Sequence, residues 1–207
     1  MKKFFFIILP ALFLSDAFSQ EASERKKYFN TTQVSILMGH RPFDQNHYNQ
    51  QRNQLHVSPS VTMTHGGFLN DSWSAGAGVG IELIDHNLFP LFAEVKYAPR
   101  RNAVSPFFAL KIGHAFGTNK KHYEYLLIDI WPYHFQNVYL KHHGGLMFQP
   151  EMGVRIPVDE KSDLMLSIAY RHQKTKTTVT ENFDAKREWE RKANMNRLVL
   201  GVAFTFR

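Results

Sequence analysis

The chain contains no cysteine. No disulfide can staple it, and no thiol is present to carry a lipid anchor. Beyond the N-terminal leader it has no run of 18 consecutive apolar residues, so no helix is expected to cross a membrane. Mean hydropathy is −0.34, the value of a water-soluble protein. A membrane barrel also shows such a value, because only alternate residues of its strands meet lipid. A dinucleotide-binding turn is missing too. Gly76, Gly78 and Gly80 are spaced GxGxG and are followed by Asp85, His86 and Asn87. The nucleotide motif needs GxGxxG between a strand and a helix. No nucleotide cofactor and no nucleic-acid partner is expected.

Residues 73–83 organise what is present. One parity reads Trp73, Ala75, Ala77, Val79, Ile81 and Leu83; the other reads Ser74, Gly76, Gly78, Gly80 and Glu82. A period of two held this long is a β-strand with a different solvent on each face. A strand needs about 9–11 residues to cross a bilayer, against about 5–6 in an ordinary soluble sheet. The apolar parity is therefore assigned to lipid and the small parity to a narrow lumen.

The same alternation recurs at about 29–39, 54–65, 90–97, 105–116, 145–156, 163–172 and at the C-terminus. Together these predict an all-β fold, an eight-stranded antiparallel transmembrane up-and-down β-barrel. Connections 66–71, 98–104 and 157–162 are short, whereas 40–53, 117–144 and 173–194 are long. Short periplasmic turns and long outer loops are the pattern of bacterial barrels; of the outward connections only 84–89 is short. Trp73, Tyr97, Phe107, Phe108, Phe204 and Phe206 cluster near the expected periplasmic ends, where an aromatic girdle belongs.

Residues 1–19 read as a cleaved export signal: Lys2 and Lys3, an apolar stretch interrupted by Pro10, then Ala17 and Ser19 at the small-residue positions. Removing Lys2, Lys3 and Asp16, two positive charges and one negative, takes the net charge from +7 to +6. Residues 20–28 are expected to be a periplasmic linker, and 29–207 the outer-membrane barrel.

Several runs also carry a resemblance. FPLFAEVKY at 89–97, SPFFALKIG at 105–113, GGLMFQPEMGVR at 144–155 and RLVLGVAFTF at 197–206 resemble small outer-membrane β-barrel proteins of the Bacteroidetes type. The resemblance covers 28–207 and implies an eight-stranded barrel of the OmpX or OmpA transmembrane-domain kind, without catalytic residues. Such chains commonly end on an aromatic residue; here Arg207 follows Phe206.

The inward parity carries Glu82, Glu94 and Glu151 with Lys96, Lys111, Arg155, Arg171 and Arg197. An eight-stranded lumen is just wide enough to be filled by side chains, so these charges are expected to pair as a structural plug. Eleven histidines are present. His40, His47, His122, His134, His142, His143 and His172 fall in or beside the expected outer loops, without a recognised metal-ligand spacing; no metal and no cofactor is assigned. Some eight-stranded barrels modify lipid A with a serine or histidine. Here Ser167 and His172 fall on opposite parities, so no catalytic residue is assigned and the lipid A-modifying enzyme stands as the alternative. A porin ranks third.

The longest outer connection is unusually apolar. Tyr123, Tyr125, Trp131, Tyr133 and His134 mark it either as a hairpin above the membrane or as a binding surface for another envelope protein. Residues 174–194 hold six cations and four anions, with a short helix expected at 184–192 through Glu188 and Lys192. The net +6 favours contact with outer-membrane lipid and lipopolysaccharide headgroups.

Overall fold

A computed structural model describes residues 28–40, 55–84, 86–99, 103–117, 122–128, 134–181 and 188–207. Among them are nine strands and no helix: β1 (Tyr28–His40), β2 (Leu55–Phe68), β3 (Trp73–Ile84), β4 (His86–Tyr97), β5 (Ser105–Gly117), β6 (His122–Ile128), β7 (His134–Pro157), β8 (Ser162–Glu181) and β9 (Glu188–Phe206). Each strand pairs antiparallel with its neighbour, in the order β5-β4-β3-β2-β1-β9-β8-β7-β6, and a β5–β7 pairing closes the ring. The nine strands make eight staves. β5 pairs with 144–155 of β7, and β6 pairs with 134–140 of the same strand, so β6 continues the line of β5. The first and last strands pair from Asn30↔Phe206 to Gly39↔Arg197. Closure leaves no sheet edge around the ring, which is what a backbone needs where no water can satisfy it.

The alternation read from the sequence sorts the faces. Val34, Ile36, Val79, Ile81, Leu91, Ile112, Leu166, Leu200 and Val202 point outward and are exposed, while Gln33, Ser60, Thr62, Glu94, Lys111, Glu151 and Arg171 point inward and are buried. Pro59 sits outward in β2 opposite Ile36, at the cost of one ladder donor. The short turns have their own chemistry. Asn70 Oδ1 accepts from the backbone N–H of Ser72 at 2.9 Å and of Trp73 at 2.8 Å. Asp159 does the same for Lys161 N–H at 2.6 Å and also takes the Ser162 hydroxyl. Both are carboxamide or carboxylate side chains closing a tight reversal.

Three expectations change. Phe107 does not join an aromatic girdle. It lies one residue from Phe108 on an alternating strand, so only one of the two faces out; Phe107 is 1% exposed among Ala98, Ala109, Met165 and Ala203. Trp73 and Tyr97 do stack outward, with ring centroids 4.9 Å apart, as do Phe204 and Phe206. Second, much of the long connections is strand. β7 begins at His134, β8 runs to Glu181 and β9 begins at Glu188. Above the apolar belt the outward face of β8 and β9 turns polar, so the apolar–polar period fades while the ladder continues. Threonine-rich sequence at 175–180 suits a pleated strand on its own account. Third, the helix expected at 184–192 is not formed at 188–192, which belongs to β9; 184–187 lie outside the described residues.

Candidate functional site

The lumen is built in layers by register. Glu94 of β4 lies directly opposite Lys111 of β5, and Ala109, two residues before Lys111, lies opposite Glu151 of β7. Lys111 Nζ therefore sits between two carboxylates, 3.6 Å from Glu94 and 2.8 Å from Glu151. Lys96 Nζ reaches Glu94 at 2.9 Å from two residues along the same strand. Gln33 of β1 spans the barrel: its Nε2 donates to Glu151 Oε1 at 2.9 Å, and its Oε1 accepts from Lys111. Gln149 donates to the other Glu151 oxygen at 3.2 Å.

A second layer lies towards the long-connection end. The Arg171 guanidinium pairs with Glu82 of β3 across the lumen. It also donates to Gln149 Oε1 at 3.4 Å and meets Met147 Sδ at 3.2 Å. Arg197 donates to Ser58 Oγ at 3.4 Å. At the opposite end Arg155 is buried and lines a small void with Lys96, Asp71 and Asp163. Two cations rest over rings: Lys96 is 5.5 Å from the Phe29 centroid and Lys111 is 5.7 Å from that of Phe92. All eight charged residues assigned to the lumen thus turn inward. The space left among Gln33, Leu37, Phe92, Lys111, Gln149 and Arg171 is about that of one water.

Sequence reasoning missed the amides and the C-terminal tie. Gln33 spans the first layer and Gln149 joins it to the second; their inward parity was the available signal. Arg207, the residue after the terminal aromatic, donates its backbone N–H to Lys161 O at 2.8 Å and pairs its guanidinium with Asp163. It fastens the end of the chain to the turn between β7 and β8, a contact with no pattern in the sequence.

Ser167 and His172, which the sequence places on opposite parities, lie on opposite faces of the wall. The Ser167 hydroxyl faces inward, where Gln33 donates to it at 3.3 Å. His172 is on the outer face, 2.8 Å from Asn196 Oδ1. His142 and His143 each share a hydrogen bond with a β8 threonine, Thr177 at 3.0 Å and Thr178 at 2.9 Å. Among the described residues no three metal-ligating side chains converge. Tyr123 and Tyr125 lie on β6 and His134 opens β7, paired with Ile128; their side chains are outside the described residues, as are Trp131, Tyr133, His47 and the His40 side chain.

No family model and no curated protein matches the chain. Solved structures do. Neisserial surface protein A is 10% identical over 86% of this chain and 96% of its own, with a TM-score of 0.51. The outer membrane protein AlkL, determined in lipid bilayers, is 13% identical over 91% and 93%, with a TM-score of 0.55. The outer membrane protein OprG of Pseudomonas aeruginosa is 12% identical over 87% and 95%, with a TM-score of 0.51. What they share with this chain is the fold, a closed eight-stranded antiparallel β-barrel of the outer-membrane kind.

Proposed function

We propose that the chain is an integral outer-membrane barrel, exported by the leader at 1–19, that acts as a binding or accessory protein through the end bearing its long connections. The supporting observation is the asymmetry between a sealed lumen and an extended rim. Lys111, Glu94, Glu151, Gln33, Arg171 and Glu82 close the interior, while β6–β9 continue past the end of β1 as a four-stranded extension. Among the described residues the space beside these charged groups holds about one water, and rigid scaffolds carry function on the segments they hold out. The outward apolar belt, the resemblance to OmpX and OmpA barrels and the outer-membrane proteins of the same fold support the placement. The lipid A enzyme remains the second reading, disfavoured by Ser167 and His172 facing opposite ways.

Deleting 123–133 is expected to leave a barrel that still migrates anomalously when unheated and that no longer retains what native membranes leave bound to it. Mass spectrometry of lipid A from cells with and without the gene tests the alternative. A changed acylation pattern abolished by His172→Ala overturns the binding reading.

A further inference from the structure

The outward face of β7, β8 and β9 changes character over two residues. On β8 one unbroken parity reads Leu166, Ile168, Tyr170, then His172, Lys174 and Lys176. The rows beside it do the same: Tyr170 pairs with Leu198, His172 with Asn196, Lys174 with Asn194, and Lys176 with Lys192. Lys141 on β7 sits one row further, opposite Thr178. Lys141, Lys174 and Lys192 are exposed.

Strand register makes this more than scattered surface charge. Lys176 and Lys192 are direct cross-strand partners, which places side chains of like charge about 4.5–5.5 Å apart at Cβ and destabilises the pair. Beside them on β7 the His143 imidazole shares a hydrogen bond with Thr178 Oγ1 at 2.9 Å. A register shift between His142 and Gly144 brings Gly144, at a φ of 71°, opposite Lys176. A Cβ on Gly145 would collide with the Lys174 carbonyl. The bulge and the two glycines let the β7 backbone pack tightly against β8, and the ammonium groups gather on the outer face of that packed sheet. The acids on this face are Glu190, which holds Lys176 at 2.5 Å, and Glu188, which accepts from Thr180 at 3.3 Å. They neutralise the face only in part.

We propose that this lysine cluster binds the phosphate groups of lipopolysaccharide in the surrounding leaflet. The inference rests on the outer-membrane placement above and adds the ligand and its residues. Acyl chains lie against the apolar belt below Tyr170. Lys174 is about 13 Å further along the strand, about 10 Å along the barrel axis after tilt, and lysine stems carry their charge back towards the belt. Glu190 already offsets Lys176, and an anionic phosphate supplies the further counter-charge that Lys174 and Lys192 call for. The continuity of belt and cations on one face selects a lipid phosphate over a free one.

The test uses the full chain in detergent micelles and fluorescent lipopolysaccharide. Wild type is expected to bind the phosphorylated form more tightly than its dephosphorylated counterpart. The Lys174→Gln/Lys176→Gln/Lys192→Gln variant is expected to lose roughly fivefold per lysine, on the order of 100-fold in all, while Lys161→Gln in a turn at the other end changes nothing. Asn194→Asp places an acid opposite Lys174 without removing a residue, and is expected to weaken binding in a barrel of unchanged heat-modifiability. The proposal is overturned if the triple variant binds like wild type, if dephosphorylation makes no difference, if phosphatidylglycerol binds equally well, or if inorganic phosphate competes better than chloride at equal ionic strength while lipid is indifferent. Flotation with vesicles separates the two readings. A chain that does not enter them refutes the membrane placement itself; a chain that enters but ignores phosphate refutes only the site.

Discussion

Lys111 shows how one side chain can hold a wall together. It meets Glu94 from the neighbouring strand and Glu151 from the strand beyond, and donates to Gln33 across the barrel. A buried cation with that many partners is costly to delete, because both carboxylates lose a counter-charge at once. Lys111→Met should cost about 3–5 kcal/mol, read as a lower guanidinium midpoint for refolding into micelles. Gly78 is the other instructive residue. The alternation alone suggests that Gly78→Ala should be milder than Val79→Arg, since it only adds a methyl to the lumen. The structure narrows that gap. A Cβ at Gly78 would stand 2.6 Å from Phe92 Cε2 and 2.8 Å from Thr64 Oγ1, so the Phe92 ring must move. Overpacking of this kind costs about 1–3 kcal/mol, against about 2–4 kcal/mol for an arginine at mid-belt. The same refolding titration, run on both variants, should rank Val79→Arg as the worse by a small margin; a clear inversion would show that the lumen, not the belt, limits assembly. At the surface, the Ser162 hydroxyl and then the Lys161 N–H hold the Asp159 carboxyl below its ordinary value of 3.8. Its support of the turn is therefore present above 3.8 and lost as pH falls through the lower folded value. The Lys161 amide resonance in micelles should titrate with a midpoint below 3.8.

At the scale of the strand, legibility followed the contrast between solvents. Where one face meets an apolar medium and the other a polar one, a single parity suffices: Val79 and Ile81 out, Gly78 and Glu82 in. β3 ends one residue beyond the range its alternation marks, and β4 begins four residues before its own. The period disappears at 175–180, where four threonines, a lysine and a valine follow one another, and there the alternation stops short of the strand's end. Thr175, Thr177 and Val179 nevertheless pair in register with Ala193, Arg191 and Trp189. Threonine and valine content was the signal available, a β preference rather than a pattern. The lumen charges were legible by parity and the partners of those charges were not, because Gln33 and Lys111 are 78 residues apart and meet only through closure. The extension of β8 makes a testable claim. Amides at 175–180 should be protected from hydrogen exchange for far longer than a solvated loop. If they exchange as fast as the turn at 159–161, the rim is a loop after all and the lysine cluster has no frame.

The whole molecule joins a closed tube to an open rim. Eight staves set the radius, and the interior side chains then decide whether anything passes. Here the Glu94–Lys111–Glu151 cluster and the Arg171–Glu82 pair lie one above the other, bridged by Gln149, which donates to Glu151 and accepts from Arg171. Among the described residues, the space beside them holds about one water. The arginine and lysine heads are each fixed by acceptors from different strands, so opening a path means breaking several contacts together. The full chain reconstituted in a planar bilayer should therefore show no steady ion conductance at neutral pH. Arg171→Ala should lower stability, since it leaves Glu82 buried without its partner, and should still pass no steady current, because the Lys111 cluster remains beneath it. A sustained ohmic current from wild type would mean that the charged layers line a channel, and the role would then belong to the lumen and not to the rim.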